Sequence, residues 1–297
     1  MKNIRAGVSL FALLSAVNPA PSAAQSQSLL SAESAIQKRI AASGADVAIF
    51  FHTLDGTETW SLRSDEVFHA ASTMKLPVMI ELFHQAQQGQ LKLDDSLPIK
   101  NRFPSIVDGS PYSLSAADDS ETDLYKAEGQ TRTLRQLCEL MITVSSNFAA
   151  NLLIEKLGVD NIRATVHQYG ADGMNVLRGV EDGKAFERGL NNTTTARALA
   201  TLVQAIADGQ AVDPASSREM LQILKRQKFH DAIPAGLPAG IAVAHKTGDI
   251  TKINHDAAIV YAKRPYILVI LTRGLAQQKD SAALMADISR QLYQATH

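Results

Sequence analysis

Phe68-His-Ala-Ala-Ser72-Thr-Met-Lys75-Leu-Pro-Val-Met-Ile-Glu-Leu-Phe83 is the stretch from which the rest of the chain is read. An extended run from Thr57 to Val67 leads into it, and its second half carries apolar residues at helical period. Ser72 therefore stands where extended chain turns into helix, with Lys75 one turn further on. Residues three apart share a helix face, which puts the lysine nitrogen within reach of the serine hydroxyl. A serine hydroxyl attacks only when a neighbour takes its proton, and a desolvated lysine can be that neighbour. The N–H groups of a first helical turn, including that of Ser72, have no partner inside the helix and are free to hold an oxyanion. Ser-x-x-Lys arises about once by chance in a chain this long, so its weight depends on its company.

On the N-terminal side, Ala45 to Thr53 is rich in β-branched and aromatic residues, Asp55-Gly56 turns it, and Thr57 to Leu62 returns, which predicts a hairpin. Before it, Leu29, Ala32, Ile36 and Ile40 recur at helical spacing up to Ser43-Gly44. The first residues differ in kind. Lys2 and Arg5 precede an apolar run from about Ala6 to Val17, then Pro19, Pro21 and Ser22-Ala23-Ala24. This predicts an export signal over residues 1–24, with the remainder periplasmic or secreted and free of a membrane span.

On the C-terminal side, the Ser72 helix runs to about Gln88, and Leu91 to Glu128 is polar and irregular. Helices are predicted over Thr133–Val144, Phe148–Leu157, a segment capped by Asp160 and running to Tyr169, Thr193–Ala207 and Ser216–Gln227. A second irregular stretch, Asn175 to Asn192, lies among them. The period then changes to that of strands over Ala242–Thr247, Asn254–Ala262 and Tyr266–Thr272, the last almost continuously apolar. Ala282–Tyr293 closes the chain as a helix. Strands at both ends with helices between predict an α/β (α+β) fold. One antiparallel sheet built from both termini (25–71 plus 231–297) would carry an inserted helical lobe (72–230), with a cleft between them.

Composition narrows the function classes. The 297 residues are 45% hydrophobic and 20% charged with a formal net charge of −1, and no basic stripe with interleaved aromatics speaks for nucleic acid. Cys138 is the only cysteine and reads as a buried thiol in an amphipathic helix. His52, His69, His84, His167, His230, His245, His255 and His297 form no pair at metal-ligand spacing, so neither a metal nor a cofactor is expected.

Three short motifs stand in order: Ser72-Thr-Met-Lys75, Ser145-Ser146-Asn147, and Lys246-Thr247-Gly248 at a strand end. Each alone has a plain structural alternative, such as Ser145 capping the following helix or Lys246 as a surface lysine. Together they resemble the serine β-lactamase and penicillin-recognising enzyme family, most closely class A β-lactamases. Asn151 and the Thr193-Thr-Thr195 run also match, with structural roles the better reading for both. The resemblance covers the chain from about Leu29 onward. It implies that Ser72 is acylated with Lys75 as proton partner, and that Ser145 passes a proton to the leaving nitrogen. It further implies that Asn147 binds the substrate's side-chain amide, that Lys246 and Thr247 meet its carboxylate, and that the N–H groups of Ser72 and Asp249 flank the oxyanion.

The chain departs from that family in three places. Ser146 stands where the middle motif usually carries Asp. The loop before Thr193, which in class A enzymes bears the glutamate that activates the deacylating water, is truncated or reorganised, leaving Glu181 and Glu187 as candidates. Glu181, in Arg178-Gly-Val-Glu181, is preferred. The arginine that the family often carries after Lys-Thr-Gly falls nearest to His255, which either holds a carboxylate, and then only while protonated, or simply packs in its strand beside Asp256. The expectation is a monomeric, exported serine hydrolase opening β-lactams through acyl-Ser72. The alternatives are a cell-wall D,D-peptidase or esterase acting on a peptidoglycan-like substrate, and a penicillin-binding protein that acylates without efficient turnover.

Overall fold

The computed structural model describes residues 23–297, so the expected export signal falls almost wholly outside the described residues. A five-stranded antiparallel sheet lies at the centre. Its strands are β1 (Asp46–Thr53), β2 (Thr59–Leu62), β3 (Ala242–Ile250), β4 (Ile253–Tyr261) and β5 (Tyr266–Arg273), in the spatial order β2-β1-β5-β4-β3. Two chain segments far apart in sequence thus share one sheet, joined where Phe51 pairs with Leu268.

The near-continuous apolar run of β5 has a direct physical cause. Leu268 and Ile270 face a core with Leu29 and Ile36 of α1 (Ala23–Ser43) and Leu284, Ile288 and Leu292 of α9 (Gln278–Thr296). Their neighbours Ile267, Val269 and Leu271 face the opposite core, which includes Leu199 and Val203 of α7 (Ala196–Ala207). A strand covered on both faces needs no polar alternation, and each such side chain contributes about 1.5–3 kcal/mol on burial.

The other main helices are α2 (Lys75–Gln87), α3 (Leu134–Thr143), α4 (Asn147–Leu157), α5 (Val159–Gln168), the short α6 (Gly183–Glu187) and α8 (Pro214–Lys225), and a single helical turn spans Asp123–Lys126. Local signals set their ends. Thr133 and Gln136 form a reciprocal capping box at the start of α3, and Thr195 caps α7 through the N–H of Ala198 at 3.1 Å. The expected cap at Asp160 is displaced: Gly158 takes the cap position, and Asp160 lies in the first turn of α5, where a carboxylate still favours the helix's positive end. α2 is buried almost all round, including Leu76, Val78, Met79, Ile80 and Leu82. It therefore anchors the Ser72 turn in the core of the molecule. Among the described residues no helix is long and apolar enough to cross a membrane.

Candidate active site

Ser72 lies in a single 3-10 turn, Ala71–Met74, that leads directly into α2. The strand before it, Phe68–His69, pairs with Thr193–Thr194, and the Ala70 N–H donates to the Asn192 carbonyl at 2.8 Å. On the other side β3 passes very close. A Cβ added at Gly248 would sit 2.9 Å from the Ser72 nitrogen and 2.8 Å from that of Thr73. Glycine in Lys246-Thr247-Gly248 is therefore a steric requirement, because any side chain would push the strand off the Ser72 turn. Ser72 and Asp249 consequently line one cleft of about 500 Å³, together with Asn147, Val180 and Glu181.

Behind the cleft wall two lysines are completely buried. Lys75 Nζ donates to the Ser145 carbonyl at 2.6 Å, to Asn147 Oδ1 at 2.8 Å and, more weakly, to Ser145 Oγ at 3.3 Å. Its resting partners are thus on the Ser145 turn, whereas the sequence suggested Ser72. Lys246 Nζ donates to Ser145 Oγ at 2.9 Å and to the Thr247 carbonyl at 2.7 Å. Burial pulls Lys75 down to about 7, against the opposing pull of Asp119, Asp249 and Glu181. Lys246 is lowered well below the lysine range, first by burial and then by the Lys75 charge. Thr247 is nearly buried beside them.

Asn147 extends the chain of contacts. Its Nδ2 donates to Glu181 Oε1 at 2.7 Å, so one amide links Lys75 to Glu181. Desolvation by the cleft walls raises the Glu181 carboxyl, and Asp119 and Asp118 add to the rise while the Asn147 bond opposes it. Glu187, the other candidate, ends α6 on the exposed surface and does not line the cleft.

The reorganised loop around Glu181 is tied down from several sides. Arg178 donates to Leu190 O, Gly179 O and Asn191 Oδ1, closing the loop on itself. The Asn192 amide grips the start of the loop, accepting from Leu177 N and Arg178 N and donating to Arg178 O. Asn151 clamps Val180, accepting from its N–H at 2.7 Å and donating to its carbonyl at 3.0 Å. A Cβ at Gly179 would lie 2.5 Å from Asn151 Oδ1, so this clamp also needs glycine. Asp182 caps α6 and accepts from Ser105 Oγ and Ile106 N, each at 2.9 Å. Ala71, Ser145 and Glu181 all have positive φ (44°, 59° and 62°), three of the six such non-glycine residues among those described. Backbone strain of this kind persists only where surrounding contacts impose it, and it concentrates at functional sites.

His255 departs from expectation and corrects it. On β4 it pairs with Gly248 and is completely buried beneath the Ser72 turn. Nε2 donates to the His69 carbonyl at 2.8 Å, the ring packs edge-on against Phe68, and burial lowers the imidazole to about 4. A neutral, enclosed ring holds no substrate carboxylate. Sequence reasoning also missed Asp119. Its Oδ2 accepts from Asn147 N and Phe148 N, both at 2.9 Å, and supplies the α4 N-terminus with a carboxylate that Ser146 lacks. Ser146 Oγ itself caps Ala149 N at 3.2 Å.

The sequence matches the beta-lactamase enzyme family over residues 31–296. A beta-lactamase of Streptomyces albus G is 27% identical over 262 residues, covering 84% of this chain and 80% of that protein. A crystal structure of a beta-lactamase from Sphaerobacter thermophilus superposes with a TM-score of 0.77 at 28% identity, covering 89% of this chain and 97% of that one. PBP-A superposes with a TM-score of 0.78 at 27% identity over 90% of this chain and 96% of its own, and a mutant of it is known as an acyl-enzyme complex with penicillin-G.

Proposed function

The chain belongs to the beta-lactamase enzyme family, and from that premise we propose that it opens β-lactam amide bonds through an acyl-Ser72 intermediate and then hydrolyses the ester. The observation that carries the reading is Ser145 Oγ standing 3.3 Å from Lys75 Nζ and 2.9 Å from Lys246 Nζ, beside the cleft that holds Ser72.

In acylation Ser72 Oγ bonds to the lactam carbonyl carbon and its proton passes to the neutral amine of Lys75, a form made accessible by the depressed pKa. The C–N bond breaks as the nitrogen takes a proton from Ser145, which Lys75 replenishes. The N–H groups of Ser72 and Asp249 are the oxyanion donors in this reading, each worth about 10²–10³ in rate. Lys246 keeps the field at Ser145 positive, and with Thr247 it receives the substrate carboxylate. In deacylation Glu181 takes a proton from water as the water attacks the ester, and the same proton is returned from Glu181 to Ser72 Oγ as the ester C–O bond breaks. General-base help of this kind is worth about 10²–10⁴.

A second reading, acylation that stalls, is supported by the likeness to PBP-A. Steady-state nitrocefin hydrolysis decides between them. Sustained turnover supports the hydrolase, whereas one equivalent of product followed by a halt supports the stalled acyl-enzyme. Export to the periplasm or medium is part of the proposal, tested by N-terminal sequencing of the protein recovered from those fractions.

A further inference from the structure

Helix α4 begins at Asn147, and the N–H groups of a first helical turn have no intrahelical acceptor. A serine cap can satisfy only part of that need, and Ser146 takes Ala149 N. The N–H groups of Asn147 and Phe148 both converge on one oxygen, Oδ2 of Asp119, from 28 and 29 residues away in sequence. The same oxygen accepts from Tyr125 Oη at 3.0 Å and Ser146 Oγ at 3.3 Å, while Oδ1 accepts from Glu121 N at 3.2 Å. Among the described residues Asp119 forms no ion pair, so its direct partners are the N–H groups of the helix terminus, the Glu121 N–H and two hydroxyls.

We propose that Asp119 is a positioning residue of the active site, which fixes the Ser145-Ser146-Asn147 turn against Lys75 and supplies a standing negative charge to it. The turn is left-handed at Ser145 and presents three acceptors to Lys75: the Ser145 carbonyl, Ser145 Oγ and Asn147 Oδ1. A carboxylate gripping the very next N–H groups holds these acceptors in place. The charged groups facing Lys75 are Lys246 and Asp249 on β3, Glu181 on its loop and Asp119. Of the three carboxylates, Asp119 does most to restrain the fall in Lys75 proton affinity, and it also raises that of Glu181. Asp118, Glu121 and Tyr125 complete the titratable groups around it. The consequence for acyl transfer rests on the function proposed above, whereas the consequence for Lys75 ionisation does not.

The test is an NMR titration of the Lys75 ε-methylene in the wild-type protein and in Asp119→Asn, which keeps the shape and an acceptor oxygen but removes the charge. The Lys75 midpoint should fall by about one pH unit. The acid limb of labelling by a fluorescent penicillin should move down by the same amount. Asp119→Ala should in addition weaken hydrogen-exchange protection of the Asn147 and Phe148 amides and slow labelling at least about tenfold. A folded Asp119→Asn variant with an unmoved Lys75 midpoint would overturn the proposal, since a purely structural cap predicts that result. Absence of labelling in the wild type would instead count against the acyl-Ser72 reading, and the NMR midpoint would still decide the role of Asp119.

Discussion

Glu181 Oε1 accepts a hydrogen bond of 2.7 Å from Asn147 Nδ2, and the other end of the same amide accepts from Lys75. The putting of a carboxylate at this place, on a residue with φ 62°, is what the Arg178, Asn192, Asn151 and Asp182 contacts accomplish together. Glu181→Gln is therefore expected to acylate at close to the wild-type rate and then accumulate acyl-enzyme, with deacylation slowed about 10²–10⁴-fold. Glu187→Gln should leave both steps near wild type. Stopped-flow burst amplitudes with nitrocefin check this, and trapping in the Glu187 variant alone would reverse the assignment.

Lys75 gives the acylation step a pH signature. With its proton affinity lowered to about 7, the neutral amine dominates above that pH and is lost below it. The acylation rate should be flat at mildly alkaline pH and fall about tenfold per unit on the acid side. Lys75→Ala should depress kcat/KM through kcat, whereas Lys246→Ala should also raise KM, because it loses a ground-state contact as well. Equal and small effects from the two substitutions would count against this division of roles.

His255 carries a stability prediction in place of a binding one. Its folded-state pKa of about 4 lies below the ordinary histidine value of 6.5. Between those two values the unfolded chain binds the extra proton, so stability is fully present above about pH 6.5 and falls as pH drops towards 4. The loss approaches roughly 3 kcal/mol. Thermal melts across pH 4–8 should show this slope in the wild type and a shallower one in His255→Leu. Michaelis constants for carboxylate-bearing lactams should not track histidine ionisation between pH 5.5 and 8.

The fold was legible because its signals are local: strand and helix periods and the Asp55-Gly56 turn. The placing of Ser72, Lys75, Ser145 and Asn147 was legible for a similar reason, since each stands at an element boundary, whereas Lys246-Thr247-Gly248, expected at a strand end, lies inside β3, which runs on to Ile250. His255 was misread because β4 is buried along both faces, so alternation gives no sign of which side chain meets solvent. Asp119 was invisible because the helix-end N–H groups it accepts from lie 28 and 29 residues away and its own segment has no period to place it. The Arg178 and Asn192 clamps likewise exist only once the loop has closed.

Gly248 tests how closely β3 must approach the Ser72 turn. Gly248→Ala would place a methyl 2.8–2.9 Å from two backbone nitrogens. The strand or the turn must then shift, at a cost of about 1–3 kcal/mol in stability. Because the shift separates Ser72 from Asp249, penicillin labelling should fall by at least about 10²-fold. A variant of unchanged activity would show that the oxyanion donors do not depend on this contact.

The central claim is that Ser72 becomes acylated, and intact-mass spectrometry after brief exposure to benzylpenicillin reads this directly. The wild type should gain one adduct with the full mass of the lactam, located by peptide mapping to Ser72, and the adduct should decay with time. Ser72→Ala should gain none while keeping its melting temperature. An adduct mapped to another residue, or lactam hydrolysis at the wild-type rate by Ser72→Ala, would contradict the account.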